Sequence, residues 1–295
     1  MKIEKLEITE AKKKNEEEWN NYLKKKKQNI PINYFSWSEI ISSSFFFQKP
    51  LFLIVRDQHN NIKGTLSAFI VYSPTGKRTL YSSRFGLVAD NKKVSETIFK
   101  YIDKIIIEKK IANVLITSGL KKYKSKFNLV KKITMTLSLL NDADWLWKKL
   151  SPKTRNTIRR GYKNNYEFSN DNKFLHGFYK IYKKKMFEKK LLSLPFSYFD
   201  KILKKNCNFS KIFVVHKNHK VIAGLILLFD RNGAQYTYAA DDNTLFKNNM
   251  HCLLWEVIKF LYKKKITFFD MTESSLNSGV YFFKKYFGCE TKTVF

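Results

Sequence analysis

Three of the chain's seven arginines, Arg155, Arg159 and Arg160, fall within six residues in "SPKTRNTIRRGYKNN" (151–165), whereas 49 lysines are spread along its length. An arginine fork grips carboxylate or phosphate through two parallel hydrogen bonds; lysine offers a point charge. Arg155 and Arg159 are four apart and share one face of a predicted helix, with Lys153 and Arg160 flanking them and Gly161 as a helix end. Two chemistries fit this pattern: a cradle for a substrate phosphate, such as a nucleotide- or lipid-linked diphosphate, or an ion-pair seam between domains. A second constellation lies in "ITFFDMTESSLNSGVYFFKKYFG", where Asp270, Thr272 and Glu273 end a predicted strand ahead of a turn at Gly279 and an aromatic run. In "AQYTYAAD", Tyr236 and Tyr238 alternate and are expected on one face of a strand.

Other chemistries are disfavoured. His216 and His219 sit three apart in a hairpin turn with no further ligand nearby in sequence, so no metal site is expected. "PTGK" lacks the remaining glycine of a phosphate loop. No Gly-x-Ser-x-Gly elbow or Ser/Cys–His arrangement occurs, which argues against a covalent acyl-enzyme.

At 295 residues, 44% of them apolar, the chain can bury two ordinary cores. The formal charge of +31 points to a solvated lysine-rich surface, because lysine, asparagine, isoleucine and phenylalanine are abundant while arginine and alanine are scarce. A polyanionic partner is the alternative, including a non-catalytic role in nucleic-acid binding. Three widely spaced cysteines without a CxxC pair fit a reducing compartment. The charged opening "MKIEKLEITEAKKKNEEEW" is unlike a secretory leader. The longest apolar run, "VIAGLILLF", is nine residues, against the roughly 18–20 needed to span a bilayer. A cytoplasmic protein without an integral membrane segment is expected, with peripheral association at the inner membrane face as an option.

The elements that must position these residues are written twice. "LIVRDQHNNIKG" (53–64) and "FVVHKNHKVIAG" (213–224) align without a gap at an offset of 160, matching Val55 to Val215, Ile62 to Ile222 and Gly64 to Gly224. Each reads as strand, polar turn and strand. Apolar and aromatic strands follow in both halves, then a helix with three- and four-residue apolar spacing, then a short strand. The pattern β-β-β-α-β, preceded by helices in each half, predicts an α+β class. Domains are expected at 1–130 and 131–295.

That order resembles the GNAT acyltransferase fold, and its duplication resembles the Fem aminoacyltransferases and their FemAB-like relatives. The resemblance is carried by "NYFSWSEI"; by Ser151, Lys153, Arg155, Ile158 and Arg159; by "YAADDNTLFKNNMHCLLWEVIKF"; and by Gly279, Tyr281, Phe283, Lys284, Phe287 and Gly288. It implies two tandem GNAT-like domains, each a mixed, mostly antiparallel sheet flanked by helices. It also implies transfer of an acyl or aminoacyl group to an amine on an anionic cell-envelope precursor, of peptidoglycan or surface polysaccharide. The donor, acyl-CoA or aminoacyl-tRNA, would be a co-substrate, with no permanently bound cofactor; charged tRNA is then a partner. On this reading Asp270 or Glu273 is the base, Tyr281 or Lys284 the oxyanion donor, and Lys153, Arg155, Arg159, Tyr238 and Asn249 bind substrate. Departures are visible too. "DDNTLFKNNMHCLL" has no glycine where a CoA-using GNAT carries its pyrophosphate loop, and the coiled-coil arm of some Fem proteins is absent. A CoA-dependent acetyltransferase acting on a small metabolite is the alternative enzyme.

Overall fold

A computed structural model describes residues 5–26, 30–119, 121–123, 128, 130–242 and 249–295. The chain divides into two compact units, Met1–Lys132 with Thr293–Phe295, and Ile133–Lys292.

In the first unit β1 (Glu7–Glu10), α1 (Glu16–Lys24) and α2 (Ser36–Ser44) precede a meander of β2 (Gln48–Arg56), β3 (Ile62–Tyr72) and β4 (Arg78–Ala89). α3 (Lys92–Glu108) and β5 (Asn113–Leu115) follow. Neighbouring strands in the order β1-β2-β3-β4-β5 are antiparallel, except that β5 runs parallel to β4. α3 begins at Asn91, whose side chain accepts from the Val94 N–H at 3.0 Å. Val94, Ile98, Ile102 and Ile105 recur at helical spacing, and that face packs on Leu53, Val55, Leu66 and Ala68.

The second unit enters through β6 (Lys132–Ser138), α4 (Ala143–Lys149), α5 (Pro152–Tyr162) and β7 (Glu167–Ser169). α6 (Leu175–Glu188) and α7 (Phe196–Lys205) come next. The meander β8 (Ser210–Lys217), β9 (Lys220–Phe229) and β10 (Ala234–Asp241) leads to α8 (Asn249–Lys263) and β11 (Phe268–Glu273). α9 (Gly279–Tyr286) and β12 (Glu290–Val294) close the chain. The sheet order is β12-β6-β11-β10-β9-β8-β7, with β11 parallel to β10. α8 buries Leu253, Leu254, Val257, Ile258 and Leu261 against Leu225, Leu227, Phe269 and Met271 on one sheet face. α6 packs on β9 and β10 through Phe178 and Tyr182. The series β2-β3-β4-α3-β5 thus recurs as β8-β9-β10-α8-β11. No described helix is long and apolar enough to cross a membrane.

The gapless alignment of the two hairpins fails by one residue. Val55 lies opposite Gly64, but Val215 lies opposite Ala223. The β8–β9 turn is a two-residue connection, with Asn218 (φ 50°) and His219 (φ 61°) both left-handed, as such turns require. The β2–β3 connection is longer, and Asp57 braces it by accepting from the His59 and Asn61 N–H groups. Gly64 therefore faces α3, where an added Cβ would lie 2.4 Å from Val94 Cγ1. Gly224 faces α6, with Phe178 Cδ2 at 2.4 Å from the same position. Alanine inside a strand ordinarily gains about 0.5–1 kcal/mol over glycine. Gly224→Ala is instead expected to destabilise the protein by about 1–3 kcal/mol, because Phe178 is fully buried and has no room to turn. Urea unfolding checks this, and Phe178→Leu in the same chain should recover part of the loss.

Candidate active site in the second unit

β10 and β11 pair only at Ala234↔Phe269 and Gln235↔Asp270, and then separate. Two local irregularities produce the opening. On β10 the register against β9 slips between Tyr236, opposite Leu227, and Tyr238, opposite Ile226. This is a bulge at Thr237, whose hydroxyl donates to the Gln235 carbonyl at 3.1 Å. On β11 the register against β6 slips between Asp270 and Glu273, and Thr272 takes φ 67°. A left-handed β-branched residue is strained, and such residues persist only where their surroundings hold them. Here Asp270 Oδ1 accepts from the Thr272 N–H at 3.0 Å and the Thr134 hydroxyl at 2.6 Å. From α9, Lys284 Nζ donates to the carbonyls of Thr272 at 3.2 Å and Glu273 at 3.0 Å.

Lys284 is 3% exposed and Asp270 0%, so a lysine and an aspartate side chain are buried around one kinked strand end. Ser278 starts α9, its hydroxyl accepting from the Tyr281 N–H at 3.1 Å. Tyr281 and Phe283 pack on the core beneath. The Glu273 carboxylate is solvent-exposed. Asn249, fully buried in the first turn of α8, donates from Nδ2 to the Asp242 carbonyl at 3.4 Å. Asn248 lies outside the described residues, as do the five residues before it between β10 and α8.

Sequence reasoning missed two groups here. His251, also in the first turn of α8, lies against Phe283 and Phe287 at ring-centroid distances of 5.0 and 5.8 Å. Its Nδ1 is buried with no hydrogen-bond partner among the described residues. Burial lowers its pKa, partly opposed by the Asp241 charge, so the imidazole is neutral near pH 7. Gln235, 5% exposed, occupies the last paired rung beside Asp270, and its Oε1 likewise has no partner among the described residues. A lone histidine after "NNM" and a glutamine in an aromatic strand carry no spacing signal; only the strand separation makes them notable.

The tyrosine pair departs from expectation. The bulge at Thr237 reverses the alternation, so Tyr236 packs on the α8 side, its hydroxyl 3.7 Å from Met250 Sδ. Tyr238 faces the other side, sharing a 2.7 Å hydroxyl contact with Tyr198 and packing on Phe199.

The arginine cluster sits on α5, which Ser151 caps and Pro152 opens. Arg155 and Arg159 both turn to α4, as their spacing requires. Arg155 Nη1 donates to the Lys148 and Leu150 carbonyls at 2.9 and 2.7 Å, satisfying the end of that helix. Arg159 lies over the Trp147 ring at 5.6 Å, while Lys153 and Arg160 are exposed. Gly161 stands next to the last residue of α5 and is not a left-handed cap. It lies inside α5, where α8 comes so close that an added Cβ would stand 2.0 Å from Cys252 Sγ.

Burial pushes the Cys252 thiol up to about 11 and the Cys289 thiol up to about 12, so neither is a thiolate nucleophile near neutrality. Among the described residues no group of three or more His, Cys, Asp or Glu is placed to hold a metal ion. A cavity of about 500 Å³ lies in the first unit, lined by Leu87, Phe99, Ile106, Ile111, Val114 and Ile116 among others. Its lining is mainly apolar, whereas Lys284, Asp270 and His251 gather around the strand ends of the second unit.

Comparison with known proteins bears on the fold. No family model and no curated protein matches the sequence. Among solved structures, FemX is similar over 98% of this chain and 96% of its own, at 15% identity and a TM-score of 0.75. The chain has the tandem GNAT fold. A tandem GNAT protein from the clavulanic acid biosynthesis pathway is similar over 98% of this chain and 96% of its own, at 9% identity and TM-score 0.58. Saccharomyces cerevisiae N-myristoyltransferase with bound myristoyl-CoA is similar over 98% of this chain and 82% of its own, at 13% identity and TM-score 0.57. In this tandem GNAT chain, the strand separation and the groups around it belong to the second of the two units.

Proposed function

We propose that the protein is an N-acyltransferase of the FemAB-like kind, moving an acyl or aminoacyl group from an activated donor to an amine on an anionic envelope precursor. The observation that carries this reading is the opening between β10 and β11, with the buried Lys284 ammonium at one strand end and the His251 imidazole at the neighbouring helix start. A donor carbonyl between the strands would be attacked by the acceptor amine. As the C–N bond forms, the carbonyl oxygen gains negative charge, which the Lys284 ammonium stabilises. His251 takes the amine proton, and collapse of the tetrahedral species expels the donor's thiol or hydroxyl, to which that proton passes. His251 takes this role in preference to Asp270, whose buried carboxylate holds Thr134 and Thr272. Tyr281 and Asn249 shape the walls. Glu273 contributes its carbonyl to Lys284. Arg155 and Arg159 brace α4 beside α8, with Lys153 and Arg160 outermost for an acceptor phosphate, while Tyr238 lines the sheet's far face.

The test is a transfer assay pairing aminoacyl-tRNA or acyl-CoA with amine-bearing, nucleotide-linked envelope precursors, read by mass spectrometry. A mass gain of one acyl group on the amine is expected with one donor class. No gain with either class on any such acceptor contradicts the reading.

A further inference from the structure

The end of α6 and the turn after it carry a feature that transfer chemistry does not use. Phe187 is 85% exposed, Leu191 58% and Leu192 97%. These are not side chains on a loose loop. Lys190 N–H donates to the Phe187 carbonyl and Leu191 N–H to the Met186 carbonyl, both at 2.9 Å, closing the helix with Lys190 left-handed at φ 56°. Glycine usually occupies that position. The following residues are pinned back onto α6, since the Tyr179 hydroxyl donates to the Leu194 carbonyl at 3.2 Å and the Leu194 N–H donates to the Tyr182 hydroxyl at 3.4 Å. An ordered turn therefore holds three large apolar side chains in water. Covering them removes apolar surface from water and so favours whatever binds there.

The residues around the tip say what that cover is. Lys183, Lys189 and Lys190 are exposed around the tip, with Glu188 as the acid among them. Lys184 and Lys185 instead pair with Asp242 and Asp241 at the end of β10, fixing the helix base. Basicity alone is uninformative in a chain of charge +31, so the apolar residues decide. A nucleic acid is gripped by cations and stacked on aromatic faces, which leaves adjacent leucines at a turn without a role. A bilayer interface uses both features: aliphatic side chains enter the headgroup–acyl boundary while flanking lysines reach anionic headgroups.

We propose that this tip docks the second unit on an anionic phospholipid surface, with Phe187, Leu191 and Leu192 entering the interface and Lys183, Lys189 and Lys190 contacting headgroups. The proposal stands independently of the transferase reading. The test is co-sedimentation of the full chain with phosphatidylglycerol-rich and with pure phosphatidylcholine vesicles at physiological salt, in parallel with sedimentation velocity and RNA binding. Wild type is expected to bind the anionic vesicles preferentially. Leu191→Glu with Leu192→Glu should weaken that binding by roughly tenfold or more, and Lys189→Ala with Lys190→Ala should weaken it and reduce its salt dependence, all at an unchanged melting temperature. Any of three results overturns the proposal. These are binding of wild type to neither vesicle; binding of the leucine variant like wild type, which marks charge alone; and dissociation of a dimer by the leucine change without altered vesicle binding, which marks a surface for a second copy. Tighter binding of RNA than of vesicles, lost with the leucines, would also overturn it.

Discussion

Lys284→Met is expected to lower the rate of acyl transfer by about 10²–10³-fold, the range found when a donor to a developing oxyanion is removed from a buried site. Donor affinity should change little, because the charge is needed most when the carbonyl oxygen turns anionic. Single-turnover rates and equilibrium donor binding separate the two effects. The same ammonium also holds the Thr272 and Glu273 carbonyls, so the variant loses stability as well. Thr272→Gly, which relieves the left-handed strain at that residue, provides the control. In the Lys284→Met background it should restore folding without restoring transfer. Recovery of both would make Lys284 a strut and not a catalytic group.

His251→Gln is expected to reduce transfer by about 10²–10⁴-fold, the usual contribution of a positioned base. Its pH dependence is more diagnostic than its size. Burial holds the wild-type imidazole below the ordinary histidine pKa, so it is neutral and able to accept a proton at pH 7. Transfer should fall only as pH drops through that lowered pKa, and the acid limb should vanish in the variant. The groups facing the ring set the limb's position: Asp241 on β10, itself paired with Lys185 at 2.8 Å, and the uncharged Phe283 of α9 and Phe287 just after it. Asp241→Asn should move the limb to still lower pH, since Asp241 favours the imidazolium. An unchanged limb in His251→Gln would assign the titration to another group.

The fold was legible because both halves repeat an order of elements that periodicity reveals without exact registration. The detail of registration was not. Gly64 and Gly224 align in sequence, yet a longer turn in one hairpin and a two-residue turn in the other place them on opposite faces of their sheets. Bulges are the same difficulty in sharper form. Nothing in "AQYTYAAD" marks Thr237 as the extra residue, so alternation put Tyr236 and Tyr238 together where the sheet separates them. The arginines were legible as a shared face and as a use of guanidinium geometry. Their acceptors were not, because peptide carbonyls at the end of a neighbouring helix have no sequence signature. Lys284 stood out through its motif, whereas His251 depends on where the first turn of α8 falls beside β10, a tertiary fact.

The central claim is that the acyl donor is held where β10 and β11 part. Amide hydrogen exchange with and without a non-reactive donor analogue, an acyl-CoA thioether or a stable aminoacyl-RNA amide, tests it most directly. Protection concentrated at residues 236–241, 249–252 and 270–273 is predicted. Protection confined to the first unit, around its apolar cavity, with these three segments unchanged, would contradict it.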